Sequence, residues 1–155
     1  MADSSSLSIR IGNVDELENL MALVPELDPL RDRARVAEAE RQDGLLLIAE
    51  VAGEPAGFKF GYARYDDGSY YSWLGGVTPE YRGERVAQAL LEAQEAWVAE
   101  RGYTGIYVKT LNKFVGMRVL LAKNRYDLVS LESAENEPGA ETQLVHFKSV
   151  ERMSL

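Results

Sequence analysis

One stretch of this sequence has the residue types and spacing to hold a phosphate: Leu74-Gly75-Gly76-Val77-Thr78-Pro79-Glu80-Tyr81-Arg82-Gly83-Glu84-Arg85-Val86-Ala87. A strand-like run ends at Val77, Thr78-Pro79 breaks it, and helical spacing of Val86, Leu90, Ala93 and Trp97 begins near Gly83. The first amides of a helix have no internal partners and sit at the positive end of its dipole. A strand–loop–helix entry can therefore hold a pyrophosphate on backbone N–H groups. Gly83 would let the backbone approach an anion, and Arg82 and Arg85 would add charge-assisted hydrogen bonds. The same residues also suit an ordinary exposed loop, with both arginines in water.

A second basic feature follows. From Arg101 to Tyr126 there is no acidic residue, yet Arg101, Lys109, Lys113, Arg118, Lys123 and Arg125 fall there, in a chain of net charge −8. Such a stretch is either a local anion site or a solvated helix face. The overall acidity argues against nucleic acid or an anionic membrane as the main partner. The chain has no cysteine, which excludes disulfides, thiolate metal sites and a cysteine nucleophile. Its single histidine, His146, excludes a multi-histidine zinc cluster. No apolar run approaches the roughly 20 residues that span a bilayer. The start of the chain lacks the basic and apolar regions of a signal peptide. These features imply a cytoplasmic protein.

The elements that must position these residues are legible as patterns. The 155 residues, 46% apolar and 27% charged, suit one globular domain, residues 1–155, with 1–6 as a flexible tail. Leu7, Ile9 and Ile11 alternate as in a strand, and Asn13 can cap a helix over 14–24. A charged helix is expected over 31–42, then strands over 45–51, 56–65 and 69–77, the last two joined at Asp66-Asp67-Gly68. A long helix is expected over 83–100 and a strand over 105–109. A helix from Asn112 to about Asn124 would turn Phe114, Met117, Leu120 and Leu121 inward. Strands over 126–131 and 143–150 complete the order β-α-α-β-β-β-α-β-α-β-β. That order implies an α/β or α+β fold with a mixed sheet of six or seven strands and helices on both faces.

Val77-Thr78-Pro79-Glu80-Tyr81-Arg82-Gly83, continuing to Ala87 and Leu90-Leu91, resembles the acetyl-CoA motif of the GNAT N-acetyltransferase superfamily, Q/R-x-x-G-x-G/A before a helix. Asn112, Leu120-Leu121, Lys123 and Tyr126 resemble its next signature, an Asn-initiated helix closing L-Y-x-K-x-G-F/Y. The element order is similar over essentially the whole chain. The resemblance implies that Gly76, Val77 and Thr78 pair through their backbone with the pantetheine arm of acetyl-CoA. It implies that Arg82, Gly83, Glu84, Arg85, Val86 and Ala87 wrap the pyrophosphate, with the basic stretch beside the phosphates. Asn112 would contact pantetheine where two strands splay. Three positions depart from the pattern: Arg85 replaces the central glycine, Leu121 the tyrosine that serves as general acid, and Arg125 the glycine before the final aromatic.

The activity implied is direct transfer of acetyl from acetyl-CoA to a primary amine of a small molecule or peptide. The alternative is a non-catalytic acyl-CoA-binding or sensor module. An amine of pKa about 10 must lose a proton before it attacks a thioester. The backbone N–H near Val77 is the expected stabiliser of the oxyanion. Tyr71, which falls near the slot of the family's strand carboxylate, and Tyr126 are candidates to handle protons, as is His146; each also suits plain packing. Glu26, Asp28 and Asp32, with Tyr62, Tyr65, Tyr70, Tyr71 and Trp73, could attract a cationic acceptor. A homodimer would draw on Trp73, Phe114 or the last strand.

Overall fold

The structure, a computed structural model, describes residues 6–27, 33–83, 85–133 and 141–150. Its elements in chain order are β1 (Leu7–Ile11), a 3-10 turn (Val14–Glu16) running into α1 (Leu17–Ala22), α2 (Arg33–Arg41), β2 (Leu45–Val51), β3 (Glu54–Tyr62), β4 (Ser69–Val77), a 3-10 turn (Pro79–Tyr81), α3 (Val86–Glu100), β5 (Gly105–Leu111), α4 (Val115–Lys123), β6 (Asp127–Glu132) and β7 (Gln143–Ser149). The expected order is the observed one. Among the described residues no helix is long and apolar enough to cross a membrane.

One seven-stranded sheet runs β1-β2-β3-β4-β5-β7-β6. Every pairing is antiparallel except β4 with β5. Strand β7 is paired on both sides, so it is not the open edge that a dimer through the last strand would use; the edges are β1 and β6. Two apolar layers cover the sheet. Leu17, Leu20, Met21 and Val36 of α1 and α2 pack on Phe58, Phe60, Tyr62 and Tyr71. Val86, Leu90, Leu91 and Val98 of α3, with Leu121 of α4, pack on Leu45, Leu47, Tyr70, Ile106 and Val108. Strand β3 is thus covered on both sides, which is why its run from Ala56 to Tyr62 is wholly buried.

Local chemistry explains the boundaries. Asn13 accepts from Asp15 N–H while Glu16 takes the Asn13 N–H, a capping box that starts the first helical turn as expected. The β2–β3 turn falls on Ala52 (φ +52°) and Gly53 (φ +83°), the left-handed pair of a tight hairpin. The long helix begins three residues later than its periodicity suggests. Gly83 has φ +81° and Arg85, its N-cap, φ +65°, so neither belongs to the helix. The expectation that α4 starts at Asn112 is corrected. Asn112 lies in the turn after β5, and the cap is Phe114, which makes no side-chain bond.

Arg125 has φ +67°. A residue with a Cβ pays about 1–2 kcal/mol there that glycine avoids, partly offset by glycine's greater loss of chain entropy. Arg125→Gly is therefore expected to raise unfolding free energy by about 0.5–1 kcal/mol, read by urea titration. A loss would mean that the arginine side chain holds the turn.

A candidate acyl-donor cleft between two parted strands

The site begins with a failure of pairing. β4 and β5 run side by side only from Ser69↔Gly105 to Ser72↔Val108. Just beyond, Trp73 is an extra residue in β4: Phe60 faces Leu74 and Gly61 faces Ser72, leaving Trp73 without an opposite number in β3. A bulge bends its strand and increases local twist. Here β4 turns away from β5, and the gap becomes a cleft of about 590 Å³. Its walls include Trp73 to Val77 from β4, Val108 to Leu111 from β5, Lys59 and Ser72 below, and Phe114, Gly116 and Met117 from the start of α4.

The polar groups of this wall are backbone. Thr78 N–H donates to Ala56 C=O at 2.9 Å. In an antiparallel ladder alternate residues address the same neighbour. Val77 and Gly75 therefore turn their N–H and C=O groups away from β3 and into the cleft. Gly75 and Gly76 keep the wall low: a Cβ on Gly76 would stand 2.8 Å from a Val24 methyl.

At the upper end of β4 lies the loop to α3. The first helical bond is from Ala89 N–H to Arg85 C=O (3.0 Å). The amides of Val86, Ala87 and Gln88 are thus outside the helix's own ladder. Nothing lies within 4 Å of where a Gly83 side chain would stand. Gln88 and Asn124 exchange amide hydrogen bonds, 2.8 Å each way, which brings the end of α4, with Lys123 and Arg125, beside this first turn. An elongated ligand with a thiol-bearing arm and a polyphosphate fits this arrangement: backbone partners along the arm, free amides and cations at the other end.

The residues singled out in the sequence fall into three groups. Gly76, Val77 and Arg82 line the cleft, with Thr78, Gly83, Arg85, Val86 and Ala87 continuing the same segment. Glu84, Asp28 and Asp32 lie outside the described residues. Tyr71, Tyr126, His146 and Asn112 are not brought to the cleft. Tyr126 donates its hydroxyl proton to Glu95 Oε2 at 2.9 Å, and burial drives its pKa up. Tyr71 sits among Tyr62 and Tyr65 on the α1/α2 side, its pKa also raised by burial. His146 is buried in β7, and burial lowers its pKa. Asn112 is exposed, and its carbonyl accepts from Arg118 (3.2 Å).

Several cations expected near phosphate are engaged elsewhere. Arg101 pairs with Asp43, Lys109 with Glu132 (2.8 Å) and Lys113 with Glu141 (2.9 Å). Arg82 reaches across the cleft mouth to Glu26 at 2.5 Å and donates through Nε to Val77 C=O at 3.3 Å. That contact holds the Glu26 carboxyl below its usual range. The aromatic faces expected to attract a cationic acceptor already carry the chain's own cations. Arg35 lies 4.0 Å over Trp73, and Arg64 and Lys109 lie 5.1 and 5.5 Å over Tyr71. Leu121, in the tyrosine slot, is wholly buried in the core. No group of acidic or histidine residues could hold a metal among the described residues.

Sequence reasoning passed over Lys59, which lies in the cleft's floor between Phe58 and Phe60. A lone lysine inside an apolar run was the available signal. It reads as a solvent-facing position only if one face of the strand is open, and neither is.

Comparison with known proteins agrees with this architecture. Residues 13–118 match the model of the Acetyltransferase (GNAT) family, and the chain belongs to that family. It is 34% identical over 102 residues to Acetyltransferase SG1711 of Sodalis glossinidius, covering 62% of this chain and 70% of that one. The fold is that of the ribosomal-protein-S18-alanine N-acetyltransferase from Escherichia coli (TM-score 0.79, 12% identity, 96% of each chain). It is equally that of yncA from Salmonella typhimurium, solved with its cofactor acetyl-CoA (TM-score 0.75, 12% identity, 97% of each chain).

Proposed function

We propose that this chain transfers an acetyl group from acetyl-CoA to a primary amine of a small molecule or peptide. The observation that carries this reading is the parting of β4 and β5 beside an open helix start, with the Val77 and Gly75 backbone turned into the gap. Bound acetyl-CoA would supply an activated thioester carbonyl. Gly76, Val77 and Thr78 would align the donor arm along β4. Arg82, Gly83, Glu84, Arg85, Val86 and Ala87 would hold the pyrophosphate on backbone amides and guanidinium groups, Arg82 exchanging Glu26 for the phosphate as the donor enters. The Val77 N–H would stabilise the negative charge that develops on the carbonyl oxygen during attack. The acceptor would enter from the opposite face, where Trp73, Lys109, Glu26 and Leu27 border the same cleft. Neither Tyr71 nor Tyr126 has a part in this scheme, and Asn112 contributes none of its side chain. The same reading takes the chain as one acyltransferase domain working in the cytoplasm.

Leu121 favours a second reading, a domain that binds acyl-CoA without turnover, because a leucine cannot protonate a leaving group. Calorimetric titration with acetyl-CoA, against ATP as control, followed by an amine screen for CoA release, separates the two. A thiol reagent reads released CoA cleanly, since the chain has no cysteine. Saturable binding that weakens with salt, with turnover, supports the transferase; binding without turnover supports the second reading; no binding sinks both. Gly83→Val is expected to weaken acetyl-CoA binding at least tenfold, while the backbone strain costs the fold only about 1–2 kcal/mol. Equal proportional losses of folding and binding would mean that Gly83 serves the loop alone.

A further inference from the structure

Lys59 is an ammonium in the wrong place for a structural residue. It occupies the middle of a central strand, flanked by Phe58 and Phe60, which point into the α1/α2 layer. By alternation Lys59 points the other way, under α3, where Gly57 and Gly61 on the same face lie against Val86, Leu90 and Gln94. Only 6% of its surface is exposed, and no carboxylate lies within salt-bridge distance of it among the described residues. Burying a cation without a partner costs several kcal/mol, so such a residue is normally replaced by an apolar one. What distinguishes its surroundings is the cleft. Lys59 faces Gly75 across the β3–β4 ladder, within the stretch where β4 has left β5, and it lines the cleft floor with Ser72 and Val108.

The groups around it are few. Glu95 of α3 attracts its charge from a distance, but that carboxylate already accepts from Tyr126 (2.9 Å) and Lys148 (2.8 Å). Tyr70 of β4 gives its hydroxyl proton to backbone carbonyls of Asp43 and Gly61. Gln94 of α3 is fully buried with neither side-chain N nor O partnered among the described residues. Beyond β5 lies His146 of β7, its pKa lowered by burial, while Lys109 lies over Tyr65 and Tyr71 on the other face. β2 offers only Leu45 and Leu47.

We propose that Lys59 is the proton donor to the departing thiolate, filling from the floor of the cleft the role that Leu121 cannot play. This rests on the acetyltransferase reading above. In the step, the acceptor nitrogen bonds to the carbonyl carbon and the carbon–sulfur bond breaks with its electron pair going to sulfur. Lys59 gives that sulfur a proton and becomes neutral, and it is recharged with the proton the acceptor nitrogen has lost, relayed through solvent. Desolvation pushes the Lys59 pKa down to about 8, which makes it a stronger acid than an exposed lysine and able to cycle near neutral pH.

Lys59→Met keeps the volume of the stem and removes the proton. Two readouts are taken on wild type and variant: acetyl-CoA affinity by calorimetry, and turnover across pH. In the wild type kcat is expected to fall as pH rises through about 8, where Lys59 loses the proton it must donate. Lys59→Met should retain acetyl-CoA affinity, lose that fall and lose about 10²-fold or more in kcat. The variant should also be the more stable protein at pH 7. Because the folded pKa lies below the unfolded 10.5, wild-type stability rises with pH from about 8 to 10.5, and the gap between the two melting temperatures should narrow over that window. A wild-type kcat with no fall above pH of about 8 overturns the proposal, as does full turnover in Lys59→Met. Failure of the wild type to bind acetyl-CoA overturns the acetyltransferase reading and this inference with it.

Discussion

Val77→Pro should reduce kcat by roughly 10²–10³-fold while leaving a folded protein, the loss expected when one preorganised oxyanion donor is removed. Proline deletes the one group that the proposed chemistry needs from this residue, its N–H. It does so at a position where the sheet does not use that group: Thr78 donates to Ala56, so Val77 points to the side from which β5 has withdrawn. Proline is tolerated in a strand where its missing N–H would have faced open space. The extended backbone there must tighten toward φ of about −65°, so a modest fall in melting temperature is expected. Circular dichroism and acetyl-CoA calorimetry establish that fold and binding persist; steady-state turnover reads the effect. Unchanged kcat would remove Val77 N–H from the chemistry and leave the cleft as a binding groove.

Phe58→Ala should cost about 3–5 kcal/mol of unfolding free energy, out of about 5–15 for a domain. Its ring is 1% exposed and is packed with Leu17, Leu20, Ile48 and Phe60, where β3 meets α1 and α2. For a chain of this size the loss corresponds to a melting-temperature drop of roughly 6–20 °C. Urea titration checks it, and a cost below about 1 kcal/mol would mean that α1 and α2 are not docked on β3 as described. The two neighbours Phe58 and Lys59 should thus move stability in opposite directions when made smaller or apolar.

The fold was largely legible because its strands carry period-2 or continuous apolar runs and several of its turns carry glycine in the left-handed conformation. The range 69–77 for β4 and 45–51 for β2 coincide with expectation because each ends at a break, Gly68 and Thr78-Pro79 for one, Gly44 and Ala52-Gly53 for the other. The start of α3 was misread because Gly83-Glu84-Arg85 has no helix-breaking residue after Gly83. Only the backbone reveals that Arg85 takes the left-handed conformation. Two of the three departures from the family pattern share that conformation: Arg85 and Arg125 stand where glycine would carry φ +65° and +67° without strain. The proposed phosphate loop was visible because strand–loop–helix entries have a local signature. The proposed catalytic half was not. Whether Tyr71 faces the cleft depends on sheet face and on where β4 parts from β5, and the bulge at Trp73 sets the second. The lysine beneath the cleft was hidden because its burial comes from α3, a distant segment.

The short parallel seam between β4 and β5 also divides the molecule. The first four strands lie in the sheet in chain order, so they join near neighbours, whereas β5, β7 and β6 form a separate antiparallel unit. Local pairings form faster than distant ones, and the seam, four register pairs long, joins segments more than thirty residues apart. It should be the last part of the sheet to assemble and the first to open. A ligand lodged in the gap and touching both strands then acts as mortar between two bricks: at a hundred times its dissociation constant it adds about 2.7 kcal/mol to the assembled state. The slowing of amide hydrogen exchange should accordingly be concentrated in Ser69–Ser72 and Gly105–Val108.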